Sequence, residues 1–232
     1  LNKTTTLKKE ENLVNLKDIK YYYESELIKR IRQVTMLKND KMYPYKNAVI
    51  TLENLNPNIL VPPQNYILDS VLKNVMDLAY SLDEYSVHNP GEYYDIFNLK
   101  YYDIFNLSGF LEFTLFDSFD KPIRRTLLPP IIEESIEADG TIKPIICDGM
   151  HRIYLARVRC LPSVNCVYIR GVSSRTPYYA YPVLGGWDGV KRISKLSPSL
   201  IKKFHRIRGN KKLYRNFDSV FTNSSAPRGS GN

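Results

Sequence analysis

Cysteine and histidine are scarce in this 232-residue chain, with three of each. Cys147, Cys160 and Cys166 are odd in number and none sits in a CxxC pair, which argues against a disulfide framework or a zinc knuckle. Cys147 in the run IIC and Cys166 in VNCVYI read as small buried hydrophobes rather than reactive thiols. The histidines at 88, 151 and 205 are too dispersed for a His-rich metal site. No apolar run reaches the roughly 18–20 residues that cross a bilayer, so no membrane partner is expected. The opening residues, LNKTTTLKKEENLVNLKDIK, are too polar for the apolar heart of a secretory signal. These absences set the expectation of a soluble, cytoplasmic protein.

What is present is globular in type: 43% hydrophobic and 25% charged residues, in a length that buries a sizeable core without covalent staples. The formal net charge of +9 is uneven, because residues 191–215 hold ten Lys or Arg and no acid. The remainder is close to neutral. That basic segment interleaves Phe204, His205 and Tyr214 with its cations. It suits a nucleic-acid backbone, and equally a solvated helix or one closing over a nucleotide.

Residues 18–38 place Leu27, Ile28, Ile31, Val34 and Leu37 at helical spacing and predict an amphipathic helix. AVITLENL (48–55) predicts a strand, the prolines of NILVPPQNY keep the following residues extended, and 66–82 returns to a helical stripe. YYDIFNLK (93–100) is followed at once by YYDIFNLS (101–108). Eight residues are too few for a solenoid unit, so this reads as a local duplication outside the core. FLEFTLFDSF (110–119) reads as a strand. Pro129-Pro130 before IIEESIEA predict a helix, stopped at Asp139-Gly140. TIKPIICD then reads as a strand, MHRIYLARVRC (150–160) as a helix with Ile153, Leu155, Ala156 and Val158 facing inward, and VNCVYIRGV (164–172) as a strand. Helix–strand–helix–strand with short connections is an α/β unit whose apolar strands are central. The aromatic loop 176–190 suits a pocket wall or core packing, His88 an exposed turn, and 197–210 a helix.

The chemistry concentrates in CDGMHR. A buried strand ends at Asp148, Gly149 turns the backbone, and a helix begins at once. Its first-turn amides lack intrahelical partners and its dipole favours an anion there. His151 and Arg152 add donors and charge, which makes a phosphate site in chemical type. The alternative has Asp148 as a simple cap and Arg152 on the surface.

Residues 127–172, with ITLENLNPN (50–58) upstream, resemble the ParB/sulfiredoxin superfamily core: a helix, a Gly, a "PI" strand, a Gly-x-His/Arg-Arg turn, a helix and a strand. Sulfiredoxins place a nucleophilic Cys where this chain has Met150, whose thioether cannot perform that chemistry. Chromosome-partitioning ParB proteins, which bind CTP and DNA, carry Gly-Glu-Arg-Arg at this turn. Free-serine kinases of the same fold carry Asp-Gly-x-His-Arg, the form that Asp148, Gly149, His151 and Arg152 match. The resemblance implies an α+β, ParB/sulfiredoxin-like mixed-sheet core over 46–190 with an insertion at about 83–109. A helical region at 1–45 and a basic extension at 191–232 flank it.

On that resemblance the expected function is a phosphotransferase acting on a small-molecule hydroxyl. Gly149, Met150, His151 and Arg152 would hold ATP or ADP, with Asp148 at Mg²⁺. Asp148, His151 and Glu53 are the expected catalytic residues, and Glu133 and Glu134 are further candidate bases. The alternative is a ParB-like module associated with DNA or RNA, nucleotide-switched or nuclease-like, with 191–215 as the nucleic-acid contact.

Overall fold

The structure is a computed structural model that describes residues 16–88, 103–116, 120–178, 180–195 and 213–224. Its centre is a four-stranded sheet built from β3 (Val49–Leu55), β7 (Ile131–Ile136), β8 (Ile142–Asp148) and β9 (Val164–Arg170), in the order β3-β9-β7-β8. β9 runs antiparallel to β3 and parallel to β7, and β7 runs antiparallel to β8. The apolar strands β7 and β9 are therefore central. A second sheet joins β1 (Leu16–Tyr23), β5 (Gly109–Phe116) and β6 (Pro122–Leu127) in the order β1-β5-β6. With α1 (Glu24–Ile31), α2 (Asp69–His88) and α3 (Met150–Val158), the fold is mixed α+β, as expected.

Successive side chains alternate across a strand, so the central sheet has two apolar faces and each meets its own layer. Ile132, Ile146 and Cys166 point to α2 and α3, packing with Ile153, Leu155 and Ala156. Ile131, Ile145, Val167 and Ile169 point the other way, to Leu27 and Ile31 of α1 and to Phe217 and Phe221 near the C-terminus. Val158, expected to face inward, is exposed. It lies at the end of the nine-residue helix, beyond the sheet's cover.

Several expected elements differ. The helix expected over 18–38 is confined to α1, with strands on either side. Tyr21, Tyr22 and Tyr23 are β-formers. They pair with Leu111, Phe110 and Gly109 of β5, and the Tyr22 ring stacks on Phe110. Beyond α1, Thr35–Met36 forms β2. Residues 66–68 are β4 (Tyr66–Leu68), parallel to β10 (Lys191–Ile193), so α2 starts three residues late. His88 ends α2 rather than lying in a turn. The helix expected after Pro129-Pro130 is strand β7: Ile131, Ile132 and Ile136 are β-branched, and β8 and β9 hydrogen-bond to both of its edges. Gly140 (φ +80°) closes a β7–β8 hairpin instead of capping a helix.

The described part of the second octapeptide copy, residues 103–108, belongs to the core, contrary to expectation. Ile104, Phe105 and Leu107 are buried, and the carbonyls of Phe105 and Leu107 accept from the backbone and side chain of Asn165. The first copy lies outside the described residues, as does 197–210. Along the outer edge of β8, the Val61 N–H donates to the Pro144 carbonyl, the Val61 carbonyl accepts from Ile146, and the Tyr178 hydroxyl donates to the Ile146 carbonyl at 3.3 Å. In the aromatic loop, Trp187 and Tyr178 are core residues; the indole N–H donates to the Leu60 carbonyl at 2.7 Å.

The last of the ten basic residues is also structural. Arg215 lies in β11 (Arg215–Asn216), paired with β2, and its guanidinium grips Glu133 through contacts of 2.6 and 3.2 Å. The two side chains are 0% and 2% exposed. The Tyr45 hydroxyl donates to the same carboxylate at 2.9 Å, and the carbonyls of Thr176 and Leu213 take further guanidinium donors. Burial alone would lower the Arg215 pKa, but the charge of Glu133 outweighs it and raises the pKa. Glu133 is thus neither solvated nor a free base. Arg215→Met strands a buried carboxylate and is expected to cost roughly 3–5 kcal/mol. The double variant Arg215→Met/Glu133→Leu should recover most of that in urea denaturation, because it leaves no unpaired charge.

Candidate functional site

The turn forms as the sequence indicates. Ile131 pairs with Asp148 and Ile132 with Ile146, so Cys147 is the extra residue of a β-bulge that redirects the strand just before the turn. Gly149 has φ +81°, a left-handed conformation. A Cβ there would come within 2.9 Å of the Pro130 Cβ and 3.0 Å of the Arg152 Nη2. Both the backbone and the space therefore require glycine. No side chain caps α3, and its first turn contains no acid. The Gly149 carbonyl takes the N–H of Ile153.

The side chains of the turn face inward. Arg152 is 6% exposed. Its guanidinium donates to the Leu128 carbonyl and approaches the Asp148 carboxylate at 3.5 Å. Burial lowers its pKa and Asp148 opposes the shift. Met150 is buried in the α2–α3 core. His151 accepts, through Nε2, the backbone N–H of Leu68 at 3.2 Å. This contact ties α3 to the start of α2. An accepting Nε2 places the ring proton on Nδ1, and burial lowers the pKa to about 4. The imidazole is neutral at pH 7. Cys166, beside Arg152, is pushed up to about 12 by burial and is inert as a thiol.

The sheet keeps Glu53 away from this turn. Glu53 pairs with Cys166 across β3–β9, and β9 and β7 separate it from Asp148 on β8. Three inter-strand steps amount to about 14 Å. Its neighbours are instead Arg170, which binds it at 2.7 and 3.0 Å, and Thr51, whose hydroxyl donates at 2.6 Å. The Arg170 hydrogen bond lowers the Glu53 pKa against the opposing effect of burial, which makes a weak general base. Glu134 joins the same group: it accepts from Tyr168 at 2.9 Å and lies 3.4 Å from Arg170 Nε. The Arg170 guanidinium covers the Tyr168 ring at 4.0 Å. Burial first, then Glu134, raise the Tyr168 pKa to about 12.

Sequence reasoning missed Arg170 and Tyr168. The period-two alternation of VNCVYIR carries the signal, because it puts both residues on the same face as Cys166.

The residues at the turn do not fit a resident metal as they stand. Asp148 is a single carboxylate already approached by a guanidinium. No group of three or more His, Cys, Asp or Glu side chains suited to a metal occurs among the described residues. Of the basic segment, Arg192 pairs with Asp69 at 2.7 Å and Arg215 with Glu133. Lys202, Lys203, Arg206 and His205 lie outside the described residues. Among the described residues no helix is long and apolar enough to cross a membrane.

His151 links the turn to pH. Its folded pKa lies below its ordinary value, so its contribution to stability is complete above about pH 6.5. That contribution is lost as pH falls toward about 4. The loss approaches roughly 3 kcal/mol. Denaturation curves between pH 7.5 and 4 should show the stability of wild type falling relative to His151→Gln, which keeps an acceptor but cannot ionise. Parallel curves would place the imidazole elsewhere.

The comparison with known proteins agrees with this architecture. No curated protein matches the chain. The family model described as the ParB CE domain matches residues 26–191. The match runs from inside α1 to the first residue of β10, so it takes in both β3 and the Asp148–Arg152 turn. It covers well over half of the sequence, and the chain belongs to the ParB CE domain family.

Proposed function

We propose that this protein is a ParB-like module that associates with nucleic acid. The observation that carries the reading is the charge distribution in a chain of this family. Ten cations without an acid fall in 191–215; of the four that lie among the described residues, Arg192 and Arg215 are paired with acids. Such a surplus recruits phosphates by counterion release. The inward turn of Arg152 and the neutral state of His151 also favour this reading over phosphoryl transfer. Neither side chain offers a charge to a triphosphate.

The test is fluorescence anisotropy with labelled single-stranded and duplex oligonucleotides across a salt series. The logarithm of the binding constant should fall linearly with the logarithm of salt concentration. Charge reversal at Lys202, Lys203 and Arg206 should weaken binding to all sequences alike and reduce that slope by about 3. Absence of salt-dependent binding would refute the reading.

One observation favours a second reading, a nucleotide-binding phosphotransferase related to the kinase-type Asp-Gly-x-His-Arg turn. The α3 N-terminus opens from a left-handed glycine with neither a cap nor an acid, which suits amides that receive a phosphate. A thermal-shift panel of ATP and ADP with and without Mg²⁺ discriminates. A site filled at 100 times its Kd stabilises by about 2.7 kcal/mol, whereas the nucleic-acid reading alone requires no shift.

A further inference from the structure

We propose that the rigid double turn at residues 37–46 is a contact surface for single-stranded nucleic acid, an inference that rests on the nucleic-acid reading above. Residues 32–49 contain four basic residues, Arg32, Lys38, Lys41 and Lys46, against one acid, Asp40. None of the three lysine ammonium groups has a partner among the described residues. Between them stand Leu37, Met42 and Tyr43, exposed by 45%, 42% and 45%. Apolar side chains set close together and rimmed by cations form the kind of patch that marks an interaction site. Bases stacked on an aromatic ring with phosphates at the flanking lysines match both properties at once.

The loop is preformed. Met36 N–H donates to Met42, Met42 N–H to Asn39, Asn39 N–H to Met36 and Lys46 N–H to Tyr43. The Arg32 guanidinium fastens the carbonyls of Lys46 and Ala48 at 3.1 and 3.0 Å. Underneath, Tyr45 is fully buried against Glu133, and this anchors the base of the loop while Tyr43 stays outside. Little conformational freedom is left to lose on binding, which favours a platform over a flexible tail.

The loop is joined to the end of the basic segment. Leu37 N–H donates to the Tyr214 carbonyl at 2.8 Å. Tyr214 follows residues 201–212, which hold six more basic residues in the sequence. The family match begins at residue 26 and so includes the loop.

The experiment measures anisotropy of a labelled 20-nucleotide single strand, as DNA and as RNA, and of the corresponding duplex. The full-length wild type is compared with Lys38→Glu/Lys41→Glu/Lys46→Glu, with Tyr43→Ala, and with a control reversal at Lys17, Lys73 and Lys143. Thermal melts establish that each variant is folded. The loop triple variant should lose at least tenfold in single-strand affinity. Tyr43→Ala should weaken single strands by several-fold and leave duplex binding unchanged, and the control should lose markedly less than the loop variant.

Wild type that binds while the loop variant and the control lose equally overturns this surface and leaves the nucleic-acid reading standing. Equal losses for duplex and single strand in Tyr43→Ala overturn the stacking platform. Wild type that binds no oligonucleotide overturns both readings.

Discussion

The ion pair between Glu133 and Arg215 is the constraint around which the fold closes. Glu133 occupies the centre of a central strand and points into an otherwise apolar layer of Ile145, Val167 and Ile169. An isolated carboxylate there would be prohibitively expensive to ionise. Arg215 answers it from 82 residues further along the chain. In doing so it fixes β11 against β2 and draws Phe217 and Phe221 over the same face. Tyr45 completes the carboxylate's shell, so the loop preceding β3 is tied to the same point.

On the opposite face the order is set by α3. Its entry is dictated by Gly149 and Pro130, which touch so closely that no side chain fits between them. Arg152 then reaches back to the Leu128 carbonyl, and His151 holds the backbone at Leu68. These contacts make the turn a junction between the sheet, α2 and α3. The polar group of Glu53, Arg170, Glu134 and Tyr168 lies on this same face, spread over β3, β9 and β7, with Glu53 at the strand farthest from the turn. Charge on the face is thus divided between a closed junction and a cluster in which one guanidinium is shared by two carboxylates.

Much of the architecture is legible in the sequence wherever local punctuation and tertiary pairing agree. β3, β5, β8, β9 and α3 follow from runs bounded by Gly, Pro and Asn, and the left-handed glycine of the turn follows from its place between strand and helix. β7 is not legible in the same way. Pro-Pro before it and Asp-Gly after it frame a helix as readily as a strand, and the outcome depends on β9, more than 30 residues away. Within the site, the residues of the turn are readable but the directions of their side chains are not. Arg152 looks like a ligand because its acceptor, the Leu128 carbonyl, lies 24 residues earlier. Arg215 is indistinguishable by type from the nine other cations of its run. Only the three-dimensional packing reveals that it belongs to the core.

The bridge from Val61 to β8 has a consequence for the behaviour of the protein at high concentration. It engages β8 beside Pro144, whose ring nitrogen has no hydrogen to donate, and it is followed directly by Pro62 and Pro63, which cannot donate either. An incoming strand from another molecule would find that margin already occupied and its continuation deprived of amide hydrogens. Prolines at a sheet margin act in this way against self-templated fibre growth. The β7–β8 hairpin is thereby shielded from edge-to-edge aggregation, although Ile136 and Ile142 lie open to water at its tip.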